Sequence, residues 1–520
     1  MKRFLVASVV RILPTCVLLF SMQSSRAGSA TWNLNPTSAD WNTAANWTPN
    51  TVPDGQADIA TFSLSNRPAP SLSAPVELSE IIFAPGASAF TINFMRGRTM
   101  NIYGAGITNN SGIPQTFVLT LFRGVSAQMV FHNSATAGDG IVYTVESPYP
   151  IPGLFFLDNS SAGTSTLVNN GTSDVYGSFI DFTDSSTAAE ATIINNGGIF
   201  SGGQGGLTIL GPSSTAGNAT IFAHGGRVIG ALGGSVSFAG APQGGDATVI
   251  ADGGVEGAEG GVIAFFGVVT LDRARVELFD SGSLIMVPGS IGSIGSLEGN
   301  GAVSLGANNL TIGGNNLNTT FAGIIQDTGS VTKTGNGKLT LSGNNPYTGG
   351  TTVTAGTLFV TNRGGSGTGS GAVQVNAGKL GGTGKISGSV TVGTGSGPGA
   401  FLTPGTAANR PAILTIRNTL TFKADGTFHC GYKSTNTTAD KAVARGVTIG
   451  TGAQLFFGPV DSGALALGTV FTAIDNTATT PIAGNFANII DGSTITVGAN
   501  TFQANYEGGD GNDLTLTVVP

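Results

Sequence analysis

Four windows align without gaps over a shared eight-residue core: STLVNNGT from Ser165, ATIINNGG from Ala191, ATIFAHGG from Ala219 and ATVIADGG from Ala247. Their threonines, Thr166, Thr192, Thr220 and Thr248, repeat every 26 to 28 residues. Such a period marks a solenoid, in which one repeat cannot bury its apolar face alone and must stack on the next. A fainter fifth copy, TAGDGIVYTV from Thr136, keeps the spacing upstream. Each copy opens on a small-residue corner, runs through a short β-branched strand and turns at Gly, where positive φ carries no steric penalty. About three such strands fit one period.

Composition supports strands and excludes helices. The chain holds 82 glycines among 520 residues, against 22 Lys plus Arg and 29 Asp plus Glu. Soluble globular domains carry about 25% charge and roughly 7% Gly. Gly costs a helix interior about 1 kcal/mol relative to Ala, and Thr, Ser, Asn and Val are mediocre helix formers. Yet 40% of residues are hydrophobic, too many for a disordered linker, and they fall in short runs between turn residues. The net charge of −7 gives no basic footprint, which excludes nucleic acid as a partner.

The amino terminus reads as an export signal. Lys2, Arg3 and Arg11 precede or flank the apolar run from Ile12 to Phe20, and Ser25-Arg26-Ala27 offers small residues for cleavage before Gly28. Pro14 and Thr15 before Cys16 make a poor lipidation site. After cleavage Cys430 is alone, so no intramolecular disulfide is expected. No later segment approaches 18 consecutive apolar residues, so no transmembrane segment is expected after signal removal.

From Gly301 the texture changes to GNGKLTLSGNNPYTGGTTVTAGTLFV over residues 335–360, followed by GSGTGSGAVQVNAGKLGGTGKISGSVTV from Gly365. The KTGxGxLTLSG lead from Lys333 to Gly343, the NxYTGGTTVxAGTL centre from Asn345 to Leu358 and the continuation from Gly369 to Gly378 carry a resemblance. Across Lys333 to Pro404 the chain resembles the autotransporter-associated β-strand repeat, also called the passenger-associated transport repeat. The resemblance implies an all-β chain: a right-handed parallel β-helix, a β-solenoid of the pectin-lyase-like kind, with N-terminal and C-terminal caps. It also implies passenger-type roles, namely surface display, adhesion or assistance in folding an exported passenger. About 15 to 20 coils are expected, roughly 80 Å at ~4.8 Å per rung. After Ala400 no succession of amphipathic barrel strands is visible, so a self-translocating barrel is not expected.

The expected segments are 1–27 signal peptide, 28–75 Trp-rich cap, 76–300 degenerate solenoid, 301–410 family-like repeats and 411–520 C-terminal β segment and cap. Trp32, Trp41 and Trp47 lie together in a segment resembling the mature start of large repeat proteins; burial in an end cap is favoured over sugar stacking. The ending from Phe502 contains Gly508-Gly509-Asp510-Gly511-Asn512-Asp513, a fragment of a calcium-binding nonapeptide. A single copy lacks the neighbouring turns that would complete the oxygen shell, so a closing hairpin is expected.

Catalytic material is sparse. His132, His224 and His429 are scattered, and no metal-ligand spacing, nucleophile elbow or phosphate loop occurs. Asp181 and Asp184 are the nearest carboxylate pair for glycosidase chemistry, but a three-residue offset in a strand points them to opposite faces. The same parity separates His429 from Cys430. Asp440, Lys441 and Arg445 read as a surface charge cluster. Asn170, Asn196, His224 and Asp252 precede the turn glycines as a stacked polar column, expected for their tolerance of left-handed turns. No catalytic residue, cofactor or metal ligand is therefore assigned. The expectation is an exported, non-enzymatic surface or extracellular scaffold, adhesin-like, from a Gram-negative-type bacterium, meeting polysaccharide or protein ligands. The alternative is a polysaccharide-binding or polysaccharide-degrading β-helix.

Overall fold

The computed structural model describes residues 28–94, 97–120, 127–146, 153–171, 177–405 and 411–520. The signal-peptide reading and Cys16 fall outside these residues. The described chain is a parallel β-solenoid of about 16 coils, with one short 3-10 helix at Ala44–Asn46.

Each coil runs a first-face strand, a corner, a second-face strand and a return loop. Gln128–Phe131, Gly153–Phe156, Phe179–Phe182 and Leu207–Leu210 stack in parallel on the first face. On the second face Thr166, Thr192, Thr220 and Thr248 pair directly, coil on coil. The register extends upstream to Val142, in the faint fifth copy, and downstream to Arg275. Within these strands outward and inward residues alternate, and the inward ranks are apolar: Leu167, Ile193, Ile221, Val249 and Val276 are all fully buried. On the first face Phe131, Phe156 and Phe182 stack with ring centroids 5.1 and 4.5 Å apart and nearly parallel planes. Stacked rings fill one rank of the core and fix the register between coils.

The corner between the faces is a single bridged residue, Thr136, Ser161, Thr187, Thr215, Gln243 and Thr270 in successive coils. In four of them the hydroxyl accepts the N–H two residues on: Gly138 at 3.2 Å, Gly163 at 3.1 Å, Ala189 at 2.9 Å and Gly217 at 3.1 Å. Each of those acceptor-capped residues has positive φ. The hydroxyl thus satisfies an amide that the tight turn removes from the ladder.

Coil length changes along the rod. Equivalent side chains bond across 26 residues at Asn169 and Asn195, but across 21 at Asn309 and Ser330. In the shorter coils the corner widens into a third strand face, Asn309–Ile312, Ser330–Lys333, Thr351–Val353 and Val373–Val375. Where the first face has no strand, Asn345 replaces it. Its buried amide accepts from Ile325 N at 2.8 Å and donates to Gly367 O at 2.8 Å, tying three coils together.

Both ends are closed. Trp32, Trp41 and Trp47 are fully buried and meet edge-on at 5.0 and 4.9 Å around Phe62, so none presents an indole face to a sugar. At the other end Val470–Asn476, itself parallel to Lys441–Ala444, begins a run of antiparallel pairs with Asp513–Val519, Asn500–Gly508 and Thr494–Val497. Gly508 to Asp513 is the hairpin turn, and Asp513 Oδ1 accepts Asn476 N at 2.9 Å.

Candidate functional surfaces

The residues singled out in the sequence do not converge on one site. Asp181 lies on the first face between Phe155 and Ile209, and burial beside them raises its carboxyl above the usual range. Asp184 sits in the turn with φ of 53°, where Oδ2 accepts Asp158 N at 3.2 Å. One is a strand residue and the other a turn ligand for backbone. His132 lies flat on Tyr103 with centroids 4.4 Å apart. Cys430 points inward, fully covered, and burial beside Asp440 raises its thiol far above the usual value; His429 points outward. Among the described residues no three His, Cys, Asp or Glu are placed to hold a metal ion.

Two expectations need correction. Asn170, Asn196, His224 and Asp252 do not adopt positive φ; their side chains bond in two pairs along the rod. Asn196 Nδ2 donates to Asn170 Oδ1 at 2.9 Å, and His224 Nδ1 meets Asp252 Oδ2 at 2.6 Å. Burial acts to raise Asp252, but the His224 and Gly225 hydrogen bonds outweigh it and hold the carboxyl low. Asp440 is not a surface residue: it is 8% exposed, accepts Gly431 N and Ala412 N at 2.9 Å each, and burial pushes its carboxyl up to about 6. Its neighbour Lys441 pairs instead with Asp475 at 2.9 Å on the next coil. A backbone amide needs an acceptor even where the site is dry, which draws the carboxylate inward.

Three polar features of the interior escaped the sequence reading. Asn169 and Asn195 form a buried ladder inside the repeat, with Nδ2 to Oδ1 at 3.0 Å, one position before the outward column. Lys333 is 1% exposed, in the inward rank between Ile312 and Val353. Its ammonium donates to Gly335 O at 2.9 Å and also reaches Thr334 O and Ala355 O, while burial lowers its pKa to about 8. Tyr347 is fully buried, with its hydroxyl 2.6 Å from Thr351 Oγ1. Strand parity carried a signal for Asn169 and Lys333, since each lies two residues from an inward apolar residue. No local pattern announced Tyr347.

The outward surface carries a three-ring aromatic ladder. Phe401, His429 and Phe456 follow one another with centroids 5.0 and 4.9 Å apart, and Phe456 is 60% exposed. Burial between the phenyl rings, aided by nearby Lys379, lowers the His429 pKa.

Lys333, Asn345, Tyr347 and Thr351 lie within one stretch, and residues 331–360 match the family described as Passenger-associated-transport-repeat. Residues 331–360 are thus similar to one such repeat. In this repeat the Lys, Asn and Tyr are interior groups that bond one coil to the next. The match stops at residue 360, short of the resemblance read as far as Pro404. No curated protein matches the chain. Among solved structures, the Haemophilus influenzae Hap adhesin is similar at 10% identity and a TM-score of 0.29, over 89% of this chain. The chain spans 63% of that structure's length. The strand ladders of the chain itself, and not that likeness, establish the solenoid.

Proposed function

We propose that this chain is an exported, non-enzymatic scaffold of the adhesin-like passenger type, a rod that presents ligand-contacting faces outside a Gram-negative-type cell. The observation that carries the reading is the passenger-associated repeat at residues 331–360 set within a continuous stack of coils. Its polar side chains support the stacking: the corner hydroxyls, Asn169, Lys333 and Asn345 each satisfy backbone or a neighbouring coil. The Hap structure bears the name of an adhesin, which agrees with a surface role. The proposed organisation keeps the segments read from sequence, with 28–75 as the N-terminal cap and 411–520 as a C-terminal β segment and cap, around coils of two lengths.

The test is adherence. Cells producing the chain, and isogenic cells lacking it, are compared on polysaccharide-coated and protein-coated surfaces. Higher retention of the producing cells is expected, and equal retention on every surface overturns the reading.

A second reading, a polysaccharide-binding solenoid, is favoured by the Phe401, His429 and Phe456 ladder, since ring faces stack on sugars. Its check is glycan retention by the purified chain and by Phe456→Ala. Retention lost in the variant supports it, whereas equal retention removes the ladder from consideration.

A further inference from the structure

Three consecutive return loops, residues 197–206, 225–234 and 253–261, stand beside the coils as a separate lobe. Each begins and ends in a Gly pair, and the pairs let the loops lie on one another at backbone distance. A Cβ on Gly197 would fall 2.2 Å from Gly225 O, and one on Gly233 would fall 2.0 Å from Gly260 O. Hydrogen bonds then run from loop to loop: Arg227 N to Gly198 O at 2.9 Å, Gly202 N to Gly230 O at 2.8 Å, Val255 N to Gly226 O at 3.0 Å and Gly230 N to Gly257 O at 2.7 Å. The lobe is therefore an ordered platform.

Its outer surface is apolar at the centre and charged at the rim. Phe200 is 53% exposed, Ile229 73% and Val255 48%, with Ile199 and Val228 beside them. Contiguous apolar side chains rimmed by charge mark a contact surface. Arg227, on the middle loop, makes one side-chain hydrogen bond, to Asn196 Oδ1 at 2.9 Å. Glu256 and Glu259, on the following loop, are exposed, and none of the three makes an ion pair among the described residues.

We propose that this lobe docks a second copy of the chain across a two-fold axis perpendicular to the rod. A two-fold contact brings residue i against j and j against i. With the axis between the middle and following loops, Arg227 of each copy faces Glu256 and Glu259 of the other, and Ile229 and Val255 close the centre. The same carboxylates disfavour an anionic membrane as occupant. Because the loops are tied to one another before contact, little backbone ordering opposes association.

Sedimentation velocity of the full chain, purified after export, over the micromolar range tests the proposal. A concentration-dependent dimer is expected, weakened at least tenfold by Ile229→Asp. Val268→Asp, which alters an exposed apolar residue outside the lobe, keeps the wild-type behaviour. Arg227→Glu alone, and Glu256→Arg with Glu259→Arg alone, each lose the dimer through like-charge contacts, and mixing the two restores it as a heterodimer. Far-ultraviolet circular dichroism of each variant confirms the coil. A chain that stays monomeric, including one that binds anionic vesicles instead, overturns the proposal, as does a mixture that fails to recover.

Discussion

Ala189 holds φ of 51° at a corner where the preceding and following coils place Gly163 and Gly217. An L-residue pays about 1–2 kcal/mol there, and Gly gives back roughly 0.5–1 kcal/mol in unfolded-chain entropy. Ala189→Gly is thus expected to stabilise its coil by up to about 1 kcal/mol. Gly217→Ala acts the other way, because its Cβ would meet the backbone of Ala189 at 2.6 to 2.9 Å. A loss of about 2 kcal/mol or more is expected from strain and overlap together. Repeat arrays open by neighbouring units, so slowed or hastened amide exchange around residues 187–220 is the measurement.

Lys333 makes a pH prediction at the same scale. Burial lowers its pKa from 10.5 to about 8, so between those values the unfolded chain holds a proton that the folded chain has released. Stability from this group therefore rises with pH through the window and is lost as pH falls through it, levelling off below pH 8, by on the order of 3 kcal/mol in all. Above pH 10 the buried Tyr143 and Tyr347 oppose the trend, because burial raises their phenols and the unfolded chain ionises first. Lys333→Met removes the lysine contribution alone. The difference in urea midpoint between wild type and variant should change between pH 8 and pH 10; a constant difference contradicts the account.

At the scale of the element, the alternation of inward and outward residues explains most of what was legible. The windows around Thr166, Thr192, Thr220 and Thr248 predicted strands in register, and those residues pair one on another. The same alternation placed His429 and Cys430 on opposite sides. The polar column was read in the right place with the wrong cause: Asn170 and His224 sit in ladders of side-chain bonds, which a single repeat cannot display because the partner belongs to the next coil. Asp440 failed for a related reason. A charge beside Lys441 looks solvated in one dimension, yet the amides of Gly431, in the strand Gly426–Lys433, and of Ala412, just before the strand Ile413–Ile416, approach it from elsewhere in the chain.

For the whole molecule, parallel stacking leaves each terminal rung with unpaired backbone groups, and an uncovered edge recruits other chains. The antiparallel segment that includes Thr494–Val497, Asn500–Gly508 and Asp513–Val519 covers one such end, packing Phe502 against Tyr432 and Phe457. Removal of residues 494–520 should expose that edge and those rings and convert the chain to concentration-dependent aggregates, seen by light scattering; a monodisperse truncated chain would argue that the segment is no cap.

Period, parity and glycine content by themselves determined that this chain coils, which apolar strand residues face inward, and that its ends need closing, because those properties follow from geometry repeated along one strand. Tertiary structure alone decided what the polar groups do. Asn345 bridges coils where a strand is missing, Asp513 caps Asn476, and the Gly-paired loops align into one exposed lobe. Each of these rests on contacts between residues about one coil or more apart, and a hydrogen bond or an apolar contact has no existence until its partner is brought beside it.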